Sequence, residues 1–395
     1  MLNRLKATLI DFIQQADLVL LALCCTATLY GIVLVFSATR YMSPDTGTRR
    51  MIVQCAALAL GICVYIFFSM LDLESITRKW KWVLAFNIVF ILLLRTPFGV
   101  AGNTGNRAWL KFPGIPFQIG PAEVVKITFV LLLAKQIEWL REEKEDLKSF
   151  PAAFFVAGHT LGICGLYFVV SRDMGNGLVF IFIFLCMSFV AGFALRWFLL
   201  LFAGAGGAVA AVLLLDLVPE DMMYMLKRFI VLFDHSFEPQ GTGWQQTRSL
   251  LAIGSGGLYG KGYLSGSLTQ GSSQSLPAKQ TDLIFSAAGE ELGLFGCLAI
   301  ILLLVLIIFR ILLVARRART PFYRYVCVGM ASILIFQTII NIGMCLFVMP
   351  TIGITLPFFS YGGSSIVTLY MAMGVVSGIK KRSPEMRRTA RSPIR

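Results

Sequence analysis

The stretch "TDLIFSAAGEELG" (281–293) carries three carboxylates, Asp282, Glu290 and Glu291, where a polar loop passes into an apolar run. Carboxylates accept protons from attacking groups and bind cations. An ionisable group at the edge of a membrane span is costly and marks function by default. Asp282 reads either as a cap that complements the dipole of the helix it precedes or as a group with a direct chemical role. Glu290 and Glu291 lie two turns further on. They need Lys, Arg or backbone donors as partners, and read equally as a structural lock or as site residues.

Other groups qualify by type and spacing. In "QIGPAEVVKI" (118–127), Glu123 and Lys126 are three apart, share a helix face and can pair, as a structural ion pair or as part of a site. Arg107, Lys111, Lys227, Arg228, Arg248, Lys261 and Lys279 fall on one predicted side. A diphosphate substrate would need such cations, although singly each fits a solvated loop. In "PTIGITLPFFSYGGSS" (350–365), Pro350, Gly353 and Pro357 break the helical pattern. Ser360, Tyr361, Gly362 and Gly363 then lead into the last span as a polar, broken segment. Such a segment faces a cavity or packs closely.

The elements that position these residues are membrane spans. The chain has 395 residues, is 57% hydrophobic and only 14% charged, with a mean hydropathy of +0.77. Apolar runs of about 20 residues, the length that crosses a bilayer, recur from end to end. The fold class is therefore an all-α polytopic membrane protein, and 1–395 reads as one transmembrane domain without internal repeats. Ten spans are predicted, at 17–38, 51–71, 81–98, 119–140, 151–170, 177–195, 197–218, 283–313, 324–348 and 358–379. The span at 283–313 is long enough to tilt or to extend past the bilayer. Ten spans put both termini on one side. That side carries 22 Lys and Arg against 13 on the other, so the termini are expected in the cytoplasm.

The long connection 219–282 then lies outside. Its apolar "SLLAIGSGGLYG" suits a re-entrant or interface-hugging segment, and a loop of that length is uncommon unless functional or disordered. The outer loop 98–118 is also rich in Gly and Pro. The net charge of +14 gathers in the tail 380–395 and in 310–324. That placement marks topology and contact with anionic membrane lipids, and no nucleic acid is expected as a partner. Nine cysteines all fall in apolar runs and read as small buried hydrophobes, with no disulfide or zinc site. With two histidines, His159 and His235, neither a His-based metal site nor a Ser-His-Asp triad is expected. The N-terminus lacks a clear cleavage site and reads as an amphipathic lead-in to the first span. No Walker, Rossmann or HExxH pattern occurs. The residues alone leave two classes open: a transporter, or an enzyme acting on a lipid-linked substrate at the outer face.

The motifs "NRAWLKF", "GPAEVVK", "SRDMGNG", "GTGWQQTRSLLAIGSGGLYGKGYL", "LPAKQTDLIFSAAGEELGLFG" and "LPFFSYGGSS", in that order across ten spans, resemble the SEDS family (RodA, FtsW, SpoVE), with a slight lean towards RodA. The resemblance covers almost the whole chain. It implies a peptidoglycan glycosyltransferase of the bacterial plasma membrane that polymerises lipid II, an undecaprenyl-diphosphate-linked disaccharide-pentapeptide, beside a class B penicillin-binding protein. The family's essential Asp corresponds to Asp282, its Glu and Lys to Glu123 and Lys126, and its Trp after the third span to Trp109. On that reading Asp282 takes the proton of the acceptor 4-hydroxyl or binds a divalent cation, Mg or Mn, at the leaving diphosphate. Lys126, Arg228 and Lys261 are the candidates for diphosphate contacts. Glu290, Glu291, Ser360 and Gly362 support the site. The chain departs from the family's "LPExHTDF" at Ala278, Gln280 and Leu283, from "QPSE" at Gly120 and Ala122, and at Arg248, where Gln is common. These departures bear on partner choice and fine substrate recognition. A lipid II flippase and a non-catalytic scaffold for a penicillin-binding protein are the rival expectations.

Overall fold

In hydrocarbon every backbone N–H and C=O must be paired within its own segment, and the apolar runs of this chain fold accordingly as helices. The structure is a computed structural model, and it describes residues 16–41, 44–101, 106–114, 118–144, 147–215, 220–233, 243–272 and 274–383. The predicted N-terminal lead-in, the tail beyond 383 and the 234–242 part of the long loop lie outside the described residues.

The helices are α1 (Leu18–Thr39), α2 (Pro44–Met70), α3 (Leu73–Arg78), α4 (Trp80–Leu92, continued by a 3-10 turn at Leu93–Arg95), α5 (Pro121–Lys144), α6 (Phe150–Ser171), α7 (Met174–Ala191), α8 (Leu195–Leu214), α9 (Glu220–Phe233), α10 (Trp244–Gly256), α11 (Ile284–Arg316), α12 (Pro321–Cys345) and α13 (Gly363–Arg382). Each of the ten predicted spans is a helix. Among the described residues seven (α1, α2, α6, α7, α8, α11, α12) are long and apolar enough to cross a membrane by themselves. Of the others, α4 has only 13 residues, α5 carries charges at both ends and α13 ends in Lys380, Lys381 and Arg382.

Three features differ from expectation. The outer loop after α4 holds a short antiparallel hairpin, β1 (Gly99–Ala101) and β2 (Arg107–Leu110), with Val100 opposite Trp109. The long connection contains two helices, α9 and α10; α10 packs against α11 through its buried Ser249, Ala252 and Gly256, while Leu250, Leu251, Leu258 and Tyr259 stay exposed, as an interface-hugging segment would. The extra length of the eighth span has a local cause. Gly293, at φ 67° and ψ −161°, breaks α11, so a short inner piece carrying Glu290 and Glu291 precedes the span proper. Only glycine fits here: a Cβ at Gly293 would stand 2.4 Å from the Gly260 nitrogen, and one at Gly260 would stand 2.2 Å from the Glu291 carbonyl oxygen. Both residues also sit at positive φ, so the backbones meet where side chains cannot go.

The ends of the bundle that carry the termini are tied by charge. Asp17 is fully buried and caps α1 through the Leu20 N–H. It accepts from Arg310 Nε at 2.8 Å and Nη2 at 2.9 Å and pairs with Lys380 at 3.2 Å. A buried carboxylate needs such partners, and these two cations link α1, α11 and α13.

Candidate active site

Asp282 lies in the turn just ahead of α11. It does not cap that helix: the residue at the cap position is Leu283, and no side chain makes the capping bond. The capping reading therefore fails. The turn is instead fixed through three successive carbonyls. Gln280 O accepts from Tyr361 N at 2.8 Å, Thr281 O from Ser360 Oγ at 2.6 Å and Asp282 O from Asn341 Nδ2 at 2.8 Å. Asn341 also donates to Ile354 O at 2.7 Å, and Ser360 Oγ accepts from Leu356 N at 2.8 Å. Gln54 on α2 closes the clamp, donating to Ser360 O at 3.2 Å and accepting from Gly362 N at 3.3 Å. The broken segment before α13 thus holds the Asp282 backbone by hydrogen bonds rather than by loose packing, so the carboxyl is pre-positioned.

The carboxyl of Asp282 faces the loop 350–356, with Oδ2 at 4.0 Å from where a Cβ on Gly353 would stand. Burial pushes its pKa up from 3.8 to about 6. The nearby Arg228 guanidinium opposes this shift, and the negative charge of Asp173 adds to it. Arg228, in the second half of α9, donates to Thr351 O, so it is anchored to the same loop. Asp173 caps α7 through the Asn176 N–H at 3.2 Å. Gly175 lets α7 approach that loop, since a Cβ there would lie 2.6 Å from Ile352 O.

A polar chain runs from Asp173 to α5. Its Oδ2 accepts from Asn176 Nδ2 at 2.8 Å and from the Tyr167 hydroxyl at 3.3 Å. Asn176 Oδ1 in turn accepts from Lys126 Nζ at 3.2 Å, and Lys126 pairs with Glu123 at 2.9 Å. Lys126 is fully buried, which such a Lys tolerates only when its donors are used. Trp109 on β2 stands beside Glu123: a Cβ at Gly120 would be 3.1 Å from its ring and 3.4 Å from Glu123 Cγ. Gly120, a departure from the family pattern, leaves that space to the indole.

The structure thus brings Asp282, Arg228, Lys126, Glu123 and Trp109 to one region, with Ser360 and Gly362 behind Asp282. It places Glu290, Glu291 and Lys261 in a second network. Glu290 is fully buried and accepts from Lys261 Nζ at 2.9 Å, Leu268 N at 2.9 Å, Thr269 N at 2.7 Å and Thr269 Oγ1 at 2.8 Å. Glu291 accepts from Ser37 Oγ at 2.5 Å and Gln270 Nε2 at 2.7 Å. Of the two readings offered for these glutamates, this geometry is that of a lock joining the loop, α1 and α11. Lys279 is buried too, donating to Thr269 O at 2.5 Å and Gly271 O at 2.7 Å and standing 3.5 Å over the Tyr41 ring; burial lowers its pKa to about 8. Arg248 stacks on Trp244 at 4.1 Å, while Arg107 and Lys111 stay exposed.

Sequence reasoning passes over Asp173, Asn176, Tyr167 and Asn341. A signal for the first two exists in "SRDMGNG": Asp173 and Asn176 are three apart at the head of a span, the pattern that singles out Glu123 and Lys126. Nothing local marks Asn341, whose partners lie 59 and 13 residues away.

Fold and site together define a polytopic helical membrane protein with a fixed carboxylate among cations at one end of its bundle. A family model described as "Cell cycle protein", of the FtsW, RodA and SpoVE proteins, matches residues 17–385, and the chain belongs to that family. It is 30% identical over 376 residues to the probable peptidoglycan glycosyltransferase FtsW of Geobacter metallireducens, covering 94% of this chain and 96% of that protein. It is 31% identical over 368 residues to the peptidoglycan glycosyltransferase MrdB of Escherichia coli K12, covering 92% and 91%. A solved chain from work on the coordination of polymerization and crosslinking by a peptidoglycan synthase complex superposes with a TM-score of 0.76 at 27% identity, covering 93% of this chain and 98% of that one. Identities this even do not separate a division from an elongation subgroup.

Proposed function

We propose that this protein is a peptidoglycan glycosyltransferase that polymerises lipid II at the outer face of the bacterial plasma membrane. Its kinship with named peptidoglycan glycosyltransferases over nearly the full chain supports the activity. The observation that carries the mechanism is Asp282, with its backbone clamped at 280–282 and its carboxyl raised to a pKa of about 6. A base near that value is largely ionised at neutral pH yet still basic enough to accept a proton.

In the proposed step, the acceptor sugar's 4-hydroxyl oxygen forms a bond to the donor's anomeric carbon. The bond from that carbon to the diphosphate oxygen breaks, and its electron pair leaves with the diphosphate. The hydroxyl proton passes to Asp282. Arg228, beside Asp282, meets the growing negative charge on the leaving group. Lys126, held by Glu123 and Asn176, supplies a second fixed positive charge on the same side, and the Trp109 face offers a wall for a sugar ring. Lys261 holds Glu290 and acts on the shape of the loop.

A divalent cation fits this donor set in part. Magnesium takes one or two carboxylates and completes its shell with substrate phosphates and water. Asp282, with Asp173 nearby, would supply the protein side, and such an ion would neutralise charge on the diphosphate. No group of three or more His, Cys, Asp or Glu side chains suited to a metal occurs among the described residues. The positive-inside distribution supports cytoplasmic termini, and the kinship with a peptidoglycan synthase complex supports a class B penicillin-binding protein as partner.

The test is reconstitution of purified protein with a matched class B penicillin-binding protein and labelled lipid II. Glycan ladders from the native chain and none from Asp282→Ala support the proposal. Ladders from both remove Asp282 from the chemistry. No ladders from either, with the partner active on its own, favour lipid transport or scaffolding.

A further inference from the structure

A cavity of about 830 Å³ opens between α3, α4, α5 and α6. It is separate from the Asp282 cluster: Gln136 in its wall is ten residues along α5 from Lys126, about 15 Å at 1.5 Å per residue. It lies on the face that carries the termini, because Arg382 at the end of α13 donates to Met70 O and Leu71 O at the corner between α2 and α3.

The polar lining is specific. Arg78 is exposed at the end of α3. Lys135 Nζ holds Glu138 at 2.9 Å and keeps further N–H donors for another acceptor. Gln136 Nε2 donates to Phe155 O at 3.1 Å, so its Oε1 is the acceptor that meets His159 Nδ1 at 2.8 Å. This network assigns the proton to Nδ1 and leaves Nε2 as a bare acceptor lone pair. His159 Nε2 is buried and has no partner. Leaving such a group unpaired costs free energy that a ligand with a hydroxyl would recover.

The rest of the lining suits a lipid. Trp80 and Trp139, 49% and 38% exposed, are the amphipathic rings found at headgroup level. Leu84 and Leu132 continue the groove as apolar wall. The volume falls in the range of about 300–1,000 Å³ typical of small-molecule pockets, room for a headgroup and part of one acyl chain. Two cations call for a phosphate, the lone pair calls for a hydroxyl donor, and the apolar wall calls for a chain.

We propose that this groove binds a glycerol-headed anionic phospholipid from the leaflet on the side of the termini. Its phosphate sits between Arg78 and Lys135, a glycerol hydroxyl donates to His159 Nε2, and one acyl chain lies along Leu84 and Leu132. The inference does not depend on the glycan-polymerase reading, since it concerns other residues and is read out by lipid occupancy rather than turnover.

The test is native mass spectrometry of the full-length protein after detergent exchange, titrated in turn with phosphatidylglycerol, phosphatidylethanolamine and phosphatidylcholine. One phosphatidylglycerol is expected to be retained per chain in preference to the other two. Arg78→Gln is expected to weaken its retention about fivefold, the factor carried by one basic residue at an anionic surface. Gly158→Phe is the blocking variant. A Cβ built on Gly158 meets no neighbouring element within 4 Å, so the added side chain starts in open space; retention is expected to be lost, and an unchanged unfolding temperature in the same variant checks that the fold accepts the ring. Equal retention of all three lipids, unchanged phosphatidylglycerol retention in both variants, or displacement by a polyprenyl phosphate at equal concentration would overturn the proposal.

Discussion

Asp282→Asn is expected to abolish polymerisation and yet raise the stability of the fold. The carboxyl is held in a half-buried turn, and burial raises its pKa from 3.8 to about 6. In the window between those values the folded state keeps a proton that the unfolded chain has lost, so unfolding releases it and stability falls as pH rises. Above about 6 the penalty is complete. A difference of about two pKa units corresponds to roughly 3 kcal/mol. Residual solvent access reduces the gain for asparagine to about 1–2 kcal/mol, a rise of about 1–2 °C in unfolding temperature for a chain of 395 residues. The assay is thermal unfolding in detergent, followed by tryptophan fluorescence, with lipid II ladders run on the same samples. At pH 7.5 the variant should unfold at a higher temperature and make no ladders. Below pH 3.8 the native carboxyl is protonated in both states, and the two curves should converge. A variant less stable than the native protein at pH 7.5 would mean that Asp282 serves the fold through Arg228, and the reasoning would be refuted. Such a trade between stability and activity is what a site that confines charge away from water entails.

Two further outcomes follow from the same geometry. The rate of polymerisation is expected to rise with pH through about 6, as Asp282 loses its proton, and Asp173→Asn, by removing a neighbouring negative charge, should move this rise to lower pH; a profile unmoved by Asp173→Asn would show that Asp173 acts only through Asn176 and Lys126. Glu290→Gln is expected to destabilise the fold by about 3 kcal/mol, because it leaves the Lys261, Leu268 and Thr269 donors short of an acceptor, whereas full stability with lost ladders in the same variant would assign Glu290 to the chemistry.

The amino-acid sequence makes the membrane architecture legible because a span is defined by length and apolarity, both of which are local. All ten spans are helices for that reason. At α11 length alone implies a span that tilts or extends past the bilayer without choosing between them, because the break at Gly293 depends on the backbone of Gly260 coming within reach. It also presents 219–282 as a loop, because the glycines that let α10 lie against α11 look like loop composition until the partner helix is in place.

The candidate site divides along the same line. Glu123 and Lys126 are readable because a spacing of three on a helix brings them together at 2.9 Å without help from the rest of the chain. Asp282 is visible as an anomaly of charge, but its role depends on contacts that no window of sequence contains: Ser360 is 79 residues away and Asn341 is 59 residues away. The local reading offers a helix cap as one of two roles for an Asp in this position. Tertiary structure overrides it by moving the helix start to Leu283 and pinning the carbonyls of residues 280–282, so the carboxylate is withheld from the backbone donors that would hold its pKa low. A capped Asp282 would be a weak base. Burial keeps this carboxylate basic; the clamp from "LPFFSYGG" and Asn341 holds it in the buried place, so Ser360, Tyr361 and Asn341 belong to the proposed mechanism as positioning residues although none is assigned to touch substrate.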